Sequence, residues 1–278
     1  MRPIITLTTD FGSSDGYVAA MKGTILRICP TARLVDITHH ITAYDVMEAA
    51  FVLRQATPHY PAGTIHLVVV DPGVGSQRRP VALRYGSHYL VGPDNGLFTL
   101  LLDNADPEEL VVLNRPRTYC SAQLSTTFHG RDIFAPVAAL LASGQPFDTL
   151  GSRADTLRPL RWALPIDDDQ GIRGWIVHVD RFGNCITNIP HDLFVRRRGS
   201  RGVKCYVGNT IIKGVSRTYC DVEPGEPLLV FGSGNHLEVS VNRGNAAELL
   251  HIRRGTPVSV VFVDERQDTG SSIRNVVP

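Results

Sequence analysis

The stretch Thr64-Ile65-His66-Leu67-Val68-Val69-Val70 decides the fold. This short and nearly continuous apolar run predicts a β-strand that is covered on both of its faces. The segments before it alternate between strand-like and helix-like patterns, which is typical of a sheet layered with helices. In chain order these segments are strands at 4–9 and 33–37, a helix that ends before Pro30, and a helix at 45–55.

The segments after this strand extend the same layered pattern. Two strand candidates, 81–85 and 88–91, are joined by a turn at Gly86-Ser87, and an apolar helix at 134–142 is ended by Gly144. We therefore predict an α/β N-terminal domain over residues 1–160, with a parallel-rich sheet flanked by helices. In such sheets, ligands bind beyond the carboxyl ends of the strands.

The composition changes near residue 152. The stretch SRADTLRPLRWALPIDDDQG (152–171) has several prolines, three consecutive aspartates and no clear period, which predicts a linker. Short strand-like segments separated by turn residues follow it, and they predict a small all-β, barrel-like C-terminal domain over residues 170–278. These segments lie at 174–180, 203–207, 227–231, 237–241 and 258–263.

The charge balance and composition exclude several classes of protein. The 278 residues carry a formal net charge of +1, which argues against nucleic-acid binding through a broad basic face. Hydrophobic residues make up 43% and charged residues 20%, as in ordinary globular chains. No apolar run is long enough to span a membrane, and the first residues do not resemble a secretory signal, so we expect a cytoplasmic protein. The five cysteines form no CxxC pair, which favours reduced thiols over a zinc site or a disulfide scaffold.

Two polar stretches follow the first and third predicted strands. Asp10 leaves the first strand, and a carboxylate at this position can accept two hydrogen bonds from a ribose diol; the alternative is that it caps a turn or helix. In the tight, glycine-containing stretch 70–79, Asp71 and Arg78 can meet across the loop. The alternative here is a plain strand connection with solvated arginines. The stretch is not a P-loop, because no GKS or GKT follows it.

Two further polar stretches contain candidate functional residues. His129 precedes the apolar helix and can accept a proton near neutral pH, although a lone histidine is also often structural. In the second domain, Asn184 offers both a donor and an acceptor to an adenine edge, and Phe182 can cover an aromatic face. The alternative is that these residues form polar turns of a β-domain.

Six motifs in order resemble the S-adenosyl-L-methionine (SAM) hydroxide adenosyltransferases, a family homologous to the bacterial fluorinase and chlorinase. The motifs are TTDFG (8–12), VDPGVG (70–75), GPDNGL (92–97), TFHGRD (127–132), DRFGN (180–184) and NRGNAAE (242–248). The resemblance implies that water or hydroxide attacks the ribose C5′ of SAM, giving adenosine and methionine. It implies the catalytic residues Asp71, Arg78 and His129. It also implies substrate contacts by Asp10, Asp15, Asp180, Phe182, Asn184, Ser233, Glu238, Asn245 and Ala246.

The resemblance also implies a homotrimer, with sites between the N-terminal domain of one subunit and the β-domain of its neighbour. SAM is then a substrate, and no cofactor or metal is expected, because the sulfonium departs as a neutral thioether. Either Asp71 or His129 can accept the proton of the water, and the sequence does not choose between them. Two alternatives are a halide adenosyltransferase and a SAM- or adenosine-binding protein with little turnover.

The charge at Asp71 distinguishes the first alternative from hydrolysis. The resemblance indicates that the halogenases carry an uncharged residue there, and that the fluorinase carries a serine in place of Gly130. A carboxylate repels a halide by about 4 kcal/mol at a separation of 4 Å and an effective dielectric constant of 20. The sequence therefore favours water as the nucleophile.

Overall fold

The computed structural model describes residues 2–103, 105–119, 124–160 and 164–264. The chain divides into two compact units, Met1–Ala163 and Leu164–Pro278. Among the residues described, no helix is long and apolar enough to cross a membrane. The expected cytoplasmic location stays a prediction.

The N-terminal unit is built on one sheet that has seven strands within the described residues, in the order β2-β1-β3-β5-β4-β6-β7. Its strands are β1 (Ile4–Thr9), β2 (Arg33–Thr38), β3 (Ile65–Val69), β4 (Pro80–Tyr85), β5 (His88–Pro93), β6 (Glu109–Val112) and β7 (Ser152–Arg153). Its helices are α1 (Tyr17–Ile28), α2 (Val46–Ala56), α3 (Thr99–Leu102), α4 (Pro116–Tyr119) and α5 (Ala135–Ala142). Single 3₁₀ turns lie at Thr57–His59 and Phe147–Thr149, and a π-helical turn spans Gly130–Phe134.

The apolar run at 64–70 forms β3 and is covered on both faces, which confirms the layered arrangement. Leu67 and Val69 belong to a core formed with α1 and α5, while Val68 and Val70 belong to a core formed with α2. Successive side chains of a strand point to opposite faces, so a strand buried on both faces must be apolar throughout.

The sheet is mixed, so the finer expectation of a parallel-rich sheet is not confirmed. Strands β1, β2, β3 and β5 pair in parallel, whereas β4, β5, β6 and β7 pair antiparallel. The antiparallel half starts at the hairpin of β4 and β5, where Gly86 takes a positive φ of 57°. A short turn can only join antiparallel neighbours, since a parallel pair needs a long crossover.

The second unit contains a nearly closed antiparallel sheet, as expected for a barrel-like domain. Its eight strands within the described residues follow the order β12-β11-β15-β9-β10-β14-β13, with β8 paired to β9. They are β8 (Ile166–Asp167), β9 (Gly171–Val179), β10 (Cys185–Pro190), β11 (Gly202–Val207), β12 (Thr210–Lys213), β13 (Pro227–Phe231), β14 (His236–Val241) and β15 (Pro257–Val263). Helices α6 (His191–Arg198) and α7 (Ala246–Leu249) and a 3₁₀ turn at Tyr219–Asp221 complete it. A bridge between Ser216 and Val230 links the two end regions of the sheet.

The prediction of a linker over 152–171 is wrong for most of its length. Ser152 and Arg153 form β7, and Leu157 packs against the core of the N-terminal unit. The Leu160 N–H donates to Thr99 Oγ1 over 2.8 Å, while β8 pairs with β9 in the second unit. The proline content and the lack of a period gave no sign of these contacts. An irregular segment can still be fixed in place by side-chain hydrogen bonds and apolar contacts. Residues 161–163 lie outside the described residues.

Candidate active site

Asp71, Arg78 and His129 form one hydrogen-bonded group in the N-terminal unit. Arg78 Nε donates to Asp71 Oδ1 over 2.8 Å, and its Nη2 donates to Asp71 Oδ2. The same Nη2 lies 2.8 Å from His129 Nδ1. The side chains of Arg78 and Asp71 are only 4% and 5% exposed. A bidentate guanidinium–carboxylate pair that is this buried has a fixed geometry as well as a strong attraction.

The loop after β3 is tight enough to bring Asp71 and Arg78 together. Gly75 takes a φ of +77°, and a Cβ placed on it would lie 2.7 Å from the Thr126 carbonyl oxygen. Only glycine fits both the positive φ and this close approach. Gly75 therefore brings the loop that carries Arg78 against the loop that leads to His129.

The contact with Arg78 fixes the tautomer of neutral His129. A guanidinium only donates hydrogen bonds, so His129 Nδ1 must accept, and the ring proton then lies on Nε2. Burial and the nearby Arg78 charge lower the pKa of His129 against the opposing effects of Asp71 and Asp132. His129 is therefore neutral at physiological pH and presents an N–H donor at Nε2.

Asp10 lies at the carboxyl end of β1, where its Oδ2 accepts a hydrogen bond from the Tyr44 N–H over 2.9 Å. Tyr44 takes a positive φ of 68° and its side chain is largely exposed. A non-glycine residue in this region of φ is uncommon and marks a constrained position. Asp10 is therefore held by a neighbouring loop, and the two helices that follow it, α1 and α2, begin at the N-caps Gly16 and Asp45.

An aromatic cluster connects the region of Asp10 with that of His129. The rings of Phe11, Tyr17 and Phe128 lie with centroids 5.3–5.9 Å apart. Phe11 follows Asp10 and Phe128 precedes His129, so the two loops pack on each other. Asp15 is exposed in the turn before α1, and its predicted contact with substrate stays a prediction.

In the second unit, Asp180 holds its own loop together. Its Oδ1 accepts from the N–H groups of Phe182 and Asn184, and its Oδ2 accepts from Asn184 Nδ2, each over 2.9 Å. These bonds form the polar turn that was the alternative expectation for this stretch. Phe182 in this turn is 75% exposed, which is unusual for a residue with a side chain of this size.

Glu238 is a buried carboxylate close to this loop. Burial and the negative charge of Asp180 raise its pKa, while a hydrogen bond of 2.9 Å from the Tyr219 hydroxyl opposes the rise. Burial and the contact with Glu238 raise the pKa of Tyr219 to about 12. A carboxylate in this setting favours a cationic ligand, because a positive charge offsets the cost of burial.

The remaining predicted substrate contacts lie near the loop held by Asp180 and near Glu238. Asn245 caps α7 by accepting from the Glu248 N–H, and it packs against Gly183. Ala246 is buried at the start of the same helix. Ser233 is exposed in the turn before β14, next to Gly232, whose backbone abuts the Glu238 carboxylate.

Sequence reasoning missed Tyr219 and Tyr44. Tyr219 contacts Glu238 across 19 positions of the chain, and Tyr44 reaches Asp10 across 34. Neither lies in a glycine-rich or strongly charged stretch. The one local signal for Tyr44 was its position directly before Asp45, whose side chain caps α2.

Comparisons with known proteins show what this chain is similar to. Residues 5–151 match the family model described as the SAM hydroxide adenosyltransferase N-terminal domain, and residues 174–259 match its C-terminal domain. The chain is 41% identical over 272 residues to (R)-S-adenosyl-L-methionine hydrolase of Thermus thermophilus, covering 94% of this chain and 100% of that protein. The protein of the same name from Salinispora tropica is 40% identical over 271 residues, covering 93% and 97%.

A solved structure and a more distant relative extend the comparison. The structure, described as an uncharacterized conserved protein from Thermotoga maritima, has a TM-score of 0.84 and 35% identity, covering 92% of this chain and 99% of that one. A fluorinase of Actinoplanes sp. is 27% identical over 293 residues, covering 93% and 97%. Because both family domains match in order and together span most of the sequence, this chain belongs to the SAM hydroxide adenosyltransferase family.

Proposed function

We propose that this chain is an enzyme that hydrolyses SAM at the ribose C5′, giving adenosine and L-methionine. The observation that carries the proposal is the buried Asp71–Arg78–His129 group, in a chain 33–41% identical to four proteins named SAM hydrolase. A carboxylate in this group favours a neutral nucleophile over a halide, since like charges repel strongly at short range.

The hydrogen bonds of the group assign a role to each catalytic residue. His129 Nδ1 already accepts from Arg78, so neutral His129 has no free lone pair with which to take a proton. Its Nε2–H donates to the oxygen of the attacking water and orients it. Asp71 keeps further lone pairs on its carboxylate and accepts the proton. Arg78 holds Asp71 and His129 in place through its hydrogen bonds to both.

The bond changes balance without a cofactor. The water oxygen bonds to C5′ as the C5′–S bond breaks, and the bonding pair leaves with sulfur as a neutral thioether. The attacking oxygen becomes strongly acidic as it bonds, so transfer of its proton to the Asp71 carboxylate is favourable. Proton transfer of this kind is worth about 10²–10⁴-fold, and the fixed orientation contributes further.

Incubation with SAM in ¹⁸O-labelled water tests the proposed function. We expect adenosine with one ¹⁸O at the 5′ position, together with unlabelled methionine, at equal rates with and without chloride. Chloride-dependent 5′-chloroadenosine would establish halide transfer instead. Binding of SAM without product would establish a binding protein.

The substrate contacts and the assembly form a second part of the proposal. Asp10 and Asp15 bind the nucleoside end, while Asp180, Phe182, Asn184, Ser233, Glu238, Asn245 and Ala246 bind adenine and methionine. The raised pKa of buried Glu238 supports a role in receiving a positive charge, such as the methionine ammonium. The family resemblance supports a homotrimer in which each site takes these two sets from neighbouring subunits.

Subunit mixing tests this arrangement. We expect Asp71→Asn and Asp180→Ala chains to be strongly impaired alone. They should regain part of the wild-type rate after they are unfolded and refolded together. Recovery requires that one active site draws on two chains. Absence of recovery in refolded mixed oligomers, or a monomer in light scattering, would contradict the shared site.

A further inference from the structure

The turn after β5 holds the first end of the loop that carries Asp71 and Arg78. Asn95 Nδ2 donates to the Val70 carbonyl oxygen over 2.9 Å. Val70 directly precedes Asp71 and its side chain is fully buried. The bond therefore fixes the backbone at the position from which the Asp71 side chain departs.

The same turn holds the other end of the loop. Arg79, which directly follows Arg78, donates from Nε and Nη2 to Asp94 Oδ2 over 2.8 and 2.5 Å. The Asp94 N–H donates back to the Arg79 carbonyl oxygen over 2.9 Å. The Asp94 side chain is 3% exposed, so removing its partner Arg79 would leave a buried carboxylate without an ion pair.

Further contacts hold the turn itself in place, so it can fix the position of the loop. Asn95 Oδ1 accepts from the Leu97 N–H over 3.3 Å, which stabilises the turn locally. Gly92 pairs with Val81 in the sheet, so the turn starts from a fixed strand. Asp94 Oδ1 also accepts from the Arg158 N–H over 2.7 Å, which adds a third fixed contact.

We propose that Asp94 and Asn95 are positioning residues for the Asp71–Arg78 pair, an inference that rests on the proposed function. Adjacent residues of one turn bind the residue before Asp71 and the residue after Arg78. We call Asp94 and Asn95 the clamp. The clamp fixes the two ends of the loop, so Arg78 reaches Asp71 and His129 at hydrogen-bond distance. A shift of about 1 Å at the reacting groups can cost about 100-fold in rate, even when its origin is remote.

Two variants test the two ends of the clamp separately. Asn95→Asp removes the amide donor to Val70 but keeps an oxygen for the Leu97 N–H. Arg79→Lys keeps the positive charge but loses the forked contact with Asp94. Glu109→Gln is the matched control, because it removes the charge from the pair of Glu109 and Arg84 on the same sheet, away from the loop. Thermal unfolding establishes that each variant is folded.

We expect kcat to fall about 10- to 100-fold in both variants, while KM for SAM and Kd for adenosine stay within about twofold. Glu109→Gln should retain the wild-type kcat. An unchanged kcat in folded Arg79→Lys, or equal losses in kcat and affinity, would overturn the proposal. If Asn95→Asp does not fold, Arg79→Lys decides alone, since its partly exposed side chain tolerates exchange. A wild-type protein that does not cleave SAM would refute the proposed function instead.

Discussion

Arg78 Nη2 donates to His129 Nδ1 over 2.8 Å while the same guanidinium holds both oxygens of Asp71. This single side chain links two groups that are 58 positions apart in the chain, at residues 71 and 129. Because arginine cannot accept a hydrogen bond, the contact also determines which nitrogen of His129 carries the proton. The roles proposed for the three residues follow from that asymmetry.

The protonation of His129 should limit the activity at acidic pH. Burial and Arg78 lower its pKa from the ordinary value of about 6.5, so the neutral ring persists below that pH. A proton on Nδ1 would face the Arg78 donor and break their contact. We expect kcat/KM to fall only below about pH 6.5, and imidazole ¹⁵N spectra at pH 7 to show a single proton on Nε2. A doubly protonated ring at pH 7 would contradict this.

Asp71→Asn should lower kcat by at least about 100-fold, with a much smaller change in KM. The amide cannot accept the proton of the water, and its NH₂ group faces a guanidinium nitrogen. Loss of the charge partner of a buried arginine should also destabilise the fold, by about 3–5 kcal/mol. Steady-state kinetics and urea unfolding measure the two effects. Asp168→Asn, which alters an exposed pair with Arg173, is the control and should change neither. A wild-type kcat in Asp71→Asn would exclude Asp71 as the base.

Gly75→Ala should impair catalysis by separating two loops. Its Cβ would meet the Thr126 carbonyl oxygen at 2.7 Å, so the segment before His129 must move. Gly63→Ala is a matched control, since Gly63 has a similar φ of +83° and no atom within 4 Å of its added Cβ. Both variants carry the strain of a positive φ, but only Gly75→Ala should lower kcat, by about 10-fold or more. Equal kcat values for the two variants would show that the contact with Thr126 does not matter.

Asp10→Ala should weaken adenosine binding by at least about tenfold, because two hydrogen bonds from the ribose hydroxyls to a carboxylate would be lost. Calorimetric titration with adenosine measures this directly. The affinity for 2′,3′-dideoxyadenosine should be the same in wild type and variant, since that ligand lacks both hydroxyls. Unchanged adenosine affinity in Asp10→Ala would leave Asp10 with only its structural contact to Tyr44.

His66 should make the stability of the protein sensitive to acid. It is fully buried between Thr6 and His88, and burial, with the His88 charge, lowers its pKa to about 3. The unfolded chain takes up this proton near pH 6.5, so stability falls as the pH drops below that value. The loss between pH 7 and pH 5 is about 2 kcal/mol for this residue. Urea unfolding of His66→Gln should show a correspondingly smaller loss, and an identical loss would contradict the prediction.

Local patterns in the sequence predicted most of the elements that position the site. The continuous run at 64–70 predicted β3, and the β-branched segment at 4–9 predicted β1, because strand burial imposes a local pattern of side chains. The same reasoning missed β10, which runs through the polar pair Thr187 and Asn188. Both are buried in the sheet, and Asn188 Oδ1 accepts from the Trp175 N–H. The apolar pattern of β10 is interrupted by these two polar residues, so its local strand signal is weak.

The sequence by itself determined the layered N-terminal unit and the β-rich second unit. It also determined that Asp10 and Asp71 lie at the carboxyl ends of β1 and β3. These features depend on local periodicity and on glycines that permit particular backbone angles. Only the tertiary structure decided that Arg78 bridges Asp71 and His129, that β6 and β7 extend the sheet antiparallel beyond the hairpin of β4 and β5, and that Asn95 holds Val70. Each of these contacts depends on the relative placement of segments that are distant in the chain. Packing across the whole unit sets that placement, and no local sequence pattern indicates it.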